Sequence, residues 1–359
     1  MKKRMKTKVS VNSRFLIITL LLTVIGIISV ADASAPLAFR DFGDKYYFAK
    51  QQSFWFILGF FLLLISSKVN YLIWKRIAHI IFIISIILLI LVLIPGFGAK
   101  ILGAKRWLIF GPISVQPAEI AKFSLILYLA RLSDKSKRPL TFFVPIFIFC
   151  FLIMLQPDFG TTIVIFGIGL FQIFASGINF LYLLCALFAS GIAGFILVFT
   201  SGYRRGRLMS FIRQAEDPLG RSYHIRQIIL ALGSGGLFGV GIGQSRQKHL
   251  FLPETATDSI FAVISEELGF IGSLTLIILF VFFILEGIKI AQKAPDTFSR
   301  IFVVGFVAWV GTQTLINLGY MVSIIPLTGI PLPFISYGGS SLTMLLLSSG
   351  IVLNISRHK

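Results

Sequence analysis

The residues best suited to chemistry lie in one hydrophilic loop, residues 201–258, between two long apolar runs. The loop ends in a carboxylate, Asp258, at the point where the apolar sequence resumes. Its eight cations are Arg204, Arg205, Arg207, Arg213, Arg221, Arg226, Arg246 and Lys248. Arginine and lysine stabilise phosphate oxygens, and a positioned carboxylate can act as a general base. The loop therefore predicts a site for an anionic ligand. Asp258 is either its base or the N-cap of the next helix.

Further ionisable residues stand inside or at the edges of apolar runs, where charge is costly. Glu119 and Lys122 are three residues apart and share one helix face, either as a structural ion pair or as a pair facing a ligand. Asp158 lies in a very short turn, where it caps the next helix or belongs to the site. Glu266 follows Asp258 by about 12 Å along a helix. With Glu267 beside it, this position favours a hydrated cavity over bare lipid.

Two glycine-rich segments have no charge of their own. Residues 233–243 resemble a phosphate-binding loop only superficially, because no strand precedes them and no Gly-Lys-Ser/Thr ending follows. The glycines there predict close backbone packing, although they could also present amides to a diphosphate. Residues 326–341 contain three prolines and predict a re-entrant loop that serves mainly as scaffold. Ser336, Ser340 and Ser341 are its candidate ligand contacts.

The elements that must position these residues are transmembrane helices. The chain has 359 residues, of which 56% are hydrophobic and 13% charged, a composition typical of an integral membrane protein. We predict an all-α fold, a single polytopic domain over residues 1–359 that includes the basic loop. The ten predicted spans are 15–30, 53–67, 77–94, 117–130, 141–155, 161–175, 180–200, 259–286, 301–321 and 341–355. No internal repeat is visible, which weakens an inverted-repeat transporter interpretation.

The distribution of basic residues predicts the orientation. With the N-terminus inside, cytoplasmic segments hold eighteen Lys and Arg against six in the short outer loops. Both termini are then cytoplasmic and the basic loop lies outside. The net charge of +19 thus reflects membrane orientation and predicts no nucleic-acid partner. The basic N-terminus and the run 15–30 also fit a cleavable signal peptide, but removing it would leave an odd number of spans.

The sequence indicates no metal or cofactor site. Cys150 and Cys185 fall inside apolar runs, and the four histidines are scattered along the chain. No cofactor is therefore required by the sequence. A divalent cation that neutralises a bound diphosphate remains an open alternative.

Several motifs in fixed order resemble the SEDS family, the membrane peptidoglycan polymerases represented by FtsW and RodA. They are residues 30–34, GAKRWL (103–108), QPAEIAK (116–122), QPDFGT (156–161) and PLPFISYGGSS (331–341), and they cover nearly the whole chain. Residues 241–248 and 252–254 are more similar to the division branch, FtsW, than to RodA. A RodA-like elongation polymerase is the alternative branch.

The resemblance implies polymerisation of lipid II, a disaccharide-pentapeptide on undecaprenyl diphosphate, outside the cytoplasmic membrane. It places the family's essential carboxylate on Asp258 and its membrane-embedded Glu and Lys on Glu119 and Lys122. Relatives often have His-Thr-Asp-Phe where this chain has Ala256-Thr257-Asp258-Ser259. The candidate substrate-binding residues are Glu119, Lys122, Asp158, Arg204, Arg207, Arg213, Arg246, Lys248, Glu254, Glu266 and Ser336.

The residues fit a mechanism in which Asp258 accepts the proton of the acceptor hydroxyl while arginines and Lys248 stabilise the leaving diphosphate. One base and displacement from the opposite face predict inversion at the anomeric carbon. A lipid II flippase and a non-catalytic division scaffold are the competing functions. The resemblance also implies a class B penicillin-binding protein and other division proteins as partners, at the septum.

Overall fold

The computed structural model describes residues 12–101, 104–111, 113–135, 138–200, 202, 205–206, 209, 211, 223–249, 251–326 and 328–358. Within these residues the protein is almost entirely helical, as the apolar runs predict, because lipid leaves backbone amides no partner but the helix itself. The helices are α1 Ser13–Ala33, α2 Ala35–Phe42, α3 Tyr47–Lys68, α4 Tyr71–Leu91, α5 Pro117–Ser133, α6 Pro139–Leu155, α7 Phe159–Ala175, α8 Phe180–Thr200, α9 Tyr223–Ser234, α10 Ile260–Gln292, α11 Thr297–Met321 and α12 Gly339–Ser356.

Each of the ten predicted spans falls on one of these helices. Six helices, namely α1, α3, α4, α10, α11 and α12, are long and apolar enough to cross a membrane by length and composition. The helices α6, α7 and the first part of α8 are shorter apolar helices. The protein is therefore a multi-pass membrane protein. Its exact number of spans and its orientation stay predictions.

The short helices α2 and α9 and a small antiparallel sheet were not predicted. The sheet consists of β1 Gly98–Ile101, β2 Ala104–Phe110 and β3 Ile113–Val115, in that order, between α4 and α5. Its central strand contains residues 104–108 of the GAKRWL motif. The sheet thus fixes this motif beside the start of α5.

The centre of the molecule is formed by α11 and α12, the most deeply buried of the long helices. Small residues let α12 pack closely on α3. A Cβ atom on Gly350 would come within 2.0 Å of Ser66 Oγ, and Ser66 Oγ donates a hydrogen bond to the carbonyl of Leu347 at 3.0 Å. Such small-residue contacts are how helices associate tightly in membranes.

Helix α10 is broken at Gly269, whose φ of 67° and ψ of −167° lie outside the helical region. The glycine-rich turn after α9 satisfies the backbone groups released by the break. Phe270 N donates to Gly236 O at 2.9 Å, and Val240 N donates to Glu266 O at 3.0 Å. Gly239 must be a glycine, because a Cβ atom there would lie 2.0 Å from the carbonyl oxygen of Glu267. The glycines of this turn therefore serve close backbone packing.

Candidate functional site

A cavity of about 280 Å³ lies where α5, α7, α11, the 254–259 segment and the re-entrant loop meet. It brings together five of the predicted site residues from three separate parts of the chain. They are Glu119, Lys122, Asp158, Glu254 and Asp258. Charged groups gathered around one cavity are expected in a binding site that faces water rather than lipid.

Asp258 is only 6% exposed and lies beside the start of α10. The N-cap of that helix is Ser259, which makes no side-chain cap hydrogen bond, so capping is not the role of Asp258. The backbone carbonyl of Asp258 accepts hydrogen bonds from Tyr320 Oη at 2.5 Å and from Asn317 Nδ2 at 2.9 Å. A Cβ atom on Gly329 would lie 3.8 Å from Asp258 Oδ2, so the re-entrant loop runs directly against the carboxylate.

Glu119 and Lys122 form a buried ion pair at the cavity. Lys122 Nζ lies 2.8 Å from Glu119 Oε1, and both side chains are at most 4% exposed. Lys122 also donates to Gln313 Oε1 at 2.9 Å and lies 4.8 Å from the centroid of the Trp309 ring. The second carboxylate oxygen of Glu119, Oε2, is buried and has no hydrogen-bond partner among the described residues. The structural interpretation of the pair is thus confirmed, while a contact with a ligand stays a prediction.

Asp158 is the N-cap of α7, since its side chain accepts from Thr161 N at 3.1 Å. It lines the cavity as well, and Arg106 Nε lies 3.8 Å from its Oδ2. Arg106 projects from β2 and donates to the carbonyl of Pro157 at 2.5 Å. Sequence reasoning did not place Arg106 among the site residues. The signal that could have found it is the GAKRWL motif, which puts a cation directly before α5.

Glu254 and Ser336 hold the segment that carries Asp258. The Glu254 carboxylate accepts from Thr257 Oγ1 at 2.7 Å, and Glu254 is exposed at the cavity mouth. Ser336 Oγ donates to the carbonyl of Thr257 at 2.5 Å and accepts from Leu332 N at 2.7 Å. Ser336 is not among the residues that line the cavity. Its contacts fix the backbone beside Asp258.

Glu266, Lys248 and Arg246 lie in a second cluster, which is separate from the cavity lining. Lys248 Nζ is 2.7 Å from both Asp32 Oδ1 and Glu267 Oε1. Burial disfavours its charge, but the hydrogen bonds to these carboxylates outweigh burial and raise the pKa of Lys248. Glu266 accepts from the Arg246 backbone N–H at 3.1 Å, and the Arg246 side chain is exposed.

In this cluster Lys248 and Glu266 tie the loop after α9 to α1 and α10. The structure does not bring these two side chains, or that of Arg246, to the cavity. The remaining predicted cations, Arg204, Arg207 and Arg213, lie outside the described residues.

Among the other lining residues, His224, Gln313 and Tyr337 were not predicted as site residues. His224 Nε2 lies 2.8 Å from Ser259 Oγ, directly beside Asp258. Burial and the neighbouring Tyr47 raise the pKa of Tyr337 to about 12, so its hydroxyl is neutral. His224 gives no signal in the sequence, because it lies in the first turn of α9, within the segment 201–258 that we predict as a hydrophilic loop.

The cavity therefore combines a carboxylate in a fixed position with two cations, Arg106 and Lys122. This arrangement suits the transfer of a proton to Asp258 next to an anionic group. Among the described residues no group of three or more His, Cys, Asp or Glu side chains could hold a metal ion. The expectation that no cofactor is required stays a prediction.

Known proteins resemble the chain over nearly its whole length. The model of a cell cycle protein family, that of FtsW, RodA and SpoVE, matches residues 12–359. Stage V sporulation protein E of Bacillus subtilis is 42% identical over 98% of this chain and 98% of its own. The probable peptidoglycan glycosyltransferase FtsW of Geobacter metallireducens is 36% identical over 95% of this chain and 93% of its own.

Among solved structures, one of a peptidoglycan synthase complex that coordinates polymerization and crosslinking superposes with a TM-score of 0.81. It is 27% identical and covers 97% of this chain and 98% of its own.

Proposed function

Because this chain belongs to the FtsW, RodA and SpoVE family of cell cycle proteins, we propose that it is a peptidoglycan glycosyltransferase that polymerises lipid II. Relatives similar over nearly the full chain are named probable peptidoglycan glycosyltransferases. The observation that carries the proposal is the placement of Asp258 in one cavity with Arg106 and Lys122. A glycosyl transfer from a lipid diphosphate needs these parts: a base for the acceptor and positive charge for the leaving group.

The size of the cavity supports binding of the reacting end of the substrate. Its volume of about 280 Å³ is just below the roughly 300–1,000 Å³ typical of small-molecule sites. A disaccharide with a peptide and a long lipid is much larger. The sugar and the diphosphate next to the scissile bond therefore occupy the cavity, while the lipid tail and the peptide extend outside it.

Asp258 is the general base in this proposal. Its carboxylate takes the proton from the acceptor hydroxyl as the hydroxyl oxygen bonds to the anomeric carbon of the donor. The bond from that carbon to the diphosphate oxygen breaks, and the diphosphate leaves with the electron pair. Because one base serves a single displacement, the configuration at the anomeric carbon inverts.

Arg106 and Lys122 stabilise the charge that builds on the diphosphate. An arginine can bind two phosphate oxygens at once, and Arg106 is partly exposed at the cavity. Lys122 is held rigidly by Glu119 and Gln313, so it needs little reorganisation when charge develops. Glu119 Oε2, the buried acceptor without a partner, is positioned for a sugar hydroxyl. In the same scheme Arg204, Arg207 and Arg213 of the basic loop remain candidate contacts to the donor.

The chain acts in the cytoplasmic membrane, and in this proposal its site opens to the outer face, where the distribution of Lys and Arg places the basic loop. The structural neighbour is a complex that couples polymerization to crosslinking. We therefore include a class B penicillin-binding protein as the partner that crosslinks the new strands, together with other division proteins.

The cellular setting has two candidates. Relatives named FtsW favour septal synthesis during division. The similarity to a stage V sporulation protein favours a role in sporulation instead. Complementation of strains that lack one or the other relative distinguishes these settings, and rescue of FtsW depletion is the outcome that the division assignment requires.

Incubation of the purified protein with labelled lipid II, alone and with its cognate transpeptidase, tests the enzyme assignment. A ladder of glycan polymers on a gel is the expected result. A flippase would instead move lipid II across a proteoliposome membrane and yield no polymer. A scaffold would do neither. Transport without polymer formation, or inactivity in both assays, would therefore overturn the proposal.

A further inference from the structure

The charge of the cavity lining is unfavourable for an anionic donor. The described lining residues include four carboxylates and only two permanent cations. The carboxylates are Glu119, Asp158, Glu254 and Asp258, and the cations are Arg106 and Lys122. Tyr337 adds no charge, because its raised pKa of about 12 keeps it neutral. From the described lining residues alone, a diphosphate meets net negative charge, and like charges at short range repel strongly where water is scarce.

One more group in the lining can become positive near neutral pH, and that is His224. An imidazole ordinarily has a pKa of about 6.5, and a nearby anion stabilises its protonated form, so that it takes up a proton from water. The other titratable side chains of this helix are Tyr223, which is partly buried, and Arg226, which is exposed. Among the described residues, the remaining charges that line the cavity are those of the four carboxylates and two cations.

The imidazole of His224 is held in position by a contact with a buried residue. Its Nε2 lies 2.8 Å from the hydroxyl of Ser259, a fully buried residue. Ser259 occupies the N-cap position of α10, yet its side chain makes no cap hydrogen bond. A serine hydroxyl can accept a hydrogen bond as well as donate one, so this contact persists when the imidazole is protonated.

Ala256 and Ser259 are the two positions at which this chain departs from the His-Thr-Asp-Phe pattern. Ala256 is buried, its carbonyl accepts from Tyr337 N at 2.8 Å, and it is absent from the cavity lining. Ser259 is the residue that contacts His224. The chain therefore brings an imidazole to the cavity from α9, outside the motif.

We propose that His224 is a substrate-contacting residue whose imidazolium form binds the diphosphate of the donor. The inference rests on the proposed function, since it assumes a lipid diphosphate in the cavity. Donor binding is accompanied by proton uptake at His224. The affinity for donor is then highest below the pKa of His224 and falls as pH rises through the pKa of the complex.

The test measures the Kd of a fluorescent lipid II whose acceptor hydroxyl is blocked, so that no polymer forms, between pH 6 and pH 9. Both acidic protons of a doubly esterified diphosphate are lost well below this range, so the donor diphosphate does not titrate. For the natural chain we expect Kd to rise about tenfold from pH 6 to pH 9, since a hydrogen bond to a charged group contributes at least this factor.

The decisive variant is His224→Gln, which keeps a hydrogen-bonding side chain for Ser259 but cannot carry charge. Its Kd should be flat and close to the high-pH value of the natural chain. His249→Gln makes the same chemical change at an exposed histidine that does not line the cavity, and it should reproduce the natural profile.

Three results would overturn the inference. One is a His224→Gln profile identical to that of the natural chain. Another is a Kd raised by the same factor at every pH, which would make His224 a structural tether. The third is loss of the pH profile in His249→Gln as well. Failure of the proposed function is separate, because it appears as absence of polymer from unblocked lipid II while the Kd profile remains measurable.

Discussion

Asp258 is held in place largely through its own backbone. Tyr320 and Asn317 donate to its carbonyl oxygen, and Ser336 donates to the carbonyl of the preceding residue. These bonds do not depend on the charge of the side chain. A change of the carboxylate to an amide should therefore leave the local backbone intact, so that its effect on activity reports chemistry rather than unfolding.

Variants of the buried pair Glu119–Lys122 distinguish its contribution to stability from its contribution to donor binding. Lys122→Met leaves Glu119 without its partner, which typically costs about 3–5 kcal/mol for a buried pair. The double variant Glu119→Gln/Lys122→Met removes both charges, so we expect it to recover at least half of the lost thermal stability. Thermal unfolding in detergent, followed by intrinsic fluorescence, measures this recovery.

Polymerisation by the same variants tests the role of Lys122 at the donor. It should stay low in the double variant although stability returns, because the cation beside the diphosphate is still missing. A double variant that recovers both stability and polymer formation would show that the pair is purely structural.

The sequence predicts those cavity residues whose charge is unusual for their position in the chain. Asp258, Glu119 and Lys122 interrupt or border apolar runs, and such residues are expected at cavities. Arg106 and His224 stand in polar segments, where a charge is ordinary, and only the motif around Arg106 could have singled it out. The ion pair of Lys248 could not be predicted either, because its partner Asp32 is 216 residues away in the chain. Spacing along a sequence cannot reveal a pair that only the fold brings together.

At the scale of elements, the re-entrant loop fixes the wall of the cavity opposite Asp258. Gly329 in this loop has a φ of +69°, a conformation that L side chains rarely adopt. Gly329→Ala should cost about 1–2 kcal/mol through this strain and shift the loop against the carboxylate. We expect polymerisation to fall about tenfold or more, since small displacements of reacting groups have large effects on rate.

Gly43→Ala is the matched control for this change. Gly43 has a φ of +68°, and a Cβ atom there would meet nothing within 4 Å. The two variants should lose similar thermal stability, while only Gly329→Ala loses rate in the gel assay. Equal rates in the two variants would remove the loop from the site.

Helices were the most predictable elements, because an apolar run long enough to cross lipid has no other regular structure available as a single segment. The break at Gly269 was not predicted. No proline marks the break in the sequence, and its backbone partners come from the turn after α9. The three strands were missed for a related reason: β1 and β3 have four and three residues, too few to show a period.

For the molecule as a whole, the orientation in the membrane decides which side the cavity serves. The excess of Lys and Arg in the predicted inner loops places Lys45 outside and Lys135 inside. In a background of Cys150→Ala and Cys185→Ala, Lys45→Cys should react with an impermeant maleimide in intact spheroplasts. Lys135→Cys should react only after the membrane is permeabilised.

Both lysines are exposed, so a difference in labelling between the two variants depends only on the side of the membrane on which each residue lies. The reverse pattern of labelling would invert the topology and place the basic loop in the cytoplasm. It would then contradict polymerisation at the outer face.

The most direct measurement of the central claim is polymer formation from labelled lipid II by the natural chain and by Asp258→Asn, side by side. Thermal unfolding and Kd for the blocked donor serve as controls for folding and binding. We predict a polymer ladder from the natural chain, and from Asp258→Asn no ladder despite a folded protein that still binds donor. A ladder of equal intensity from Asp258→Asn would contradict the account, because the base would then lie elsewhere.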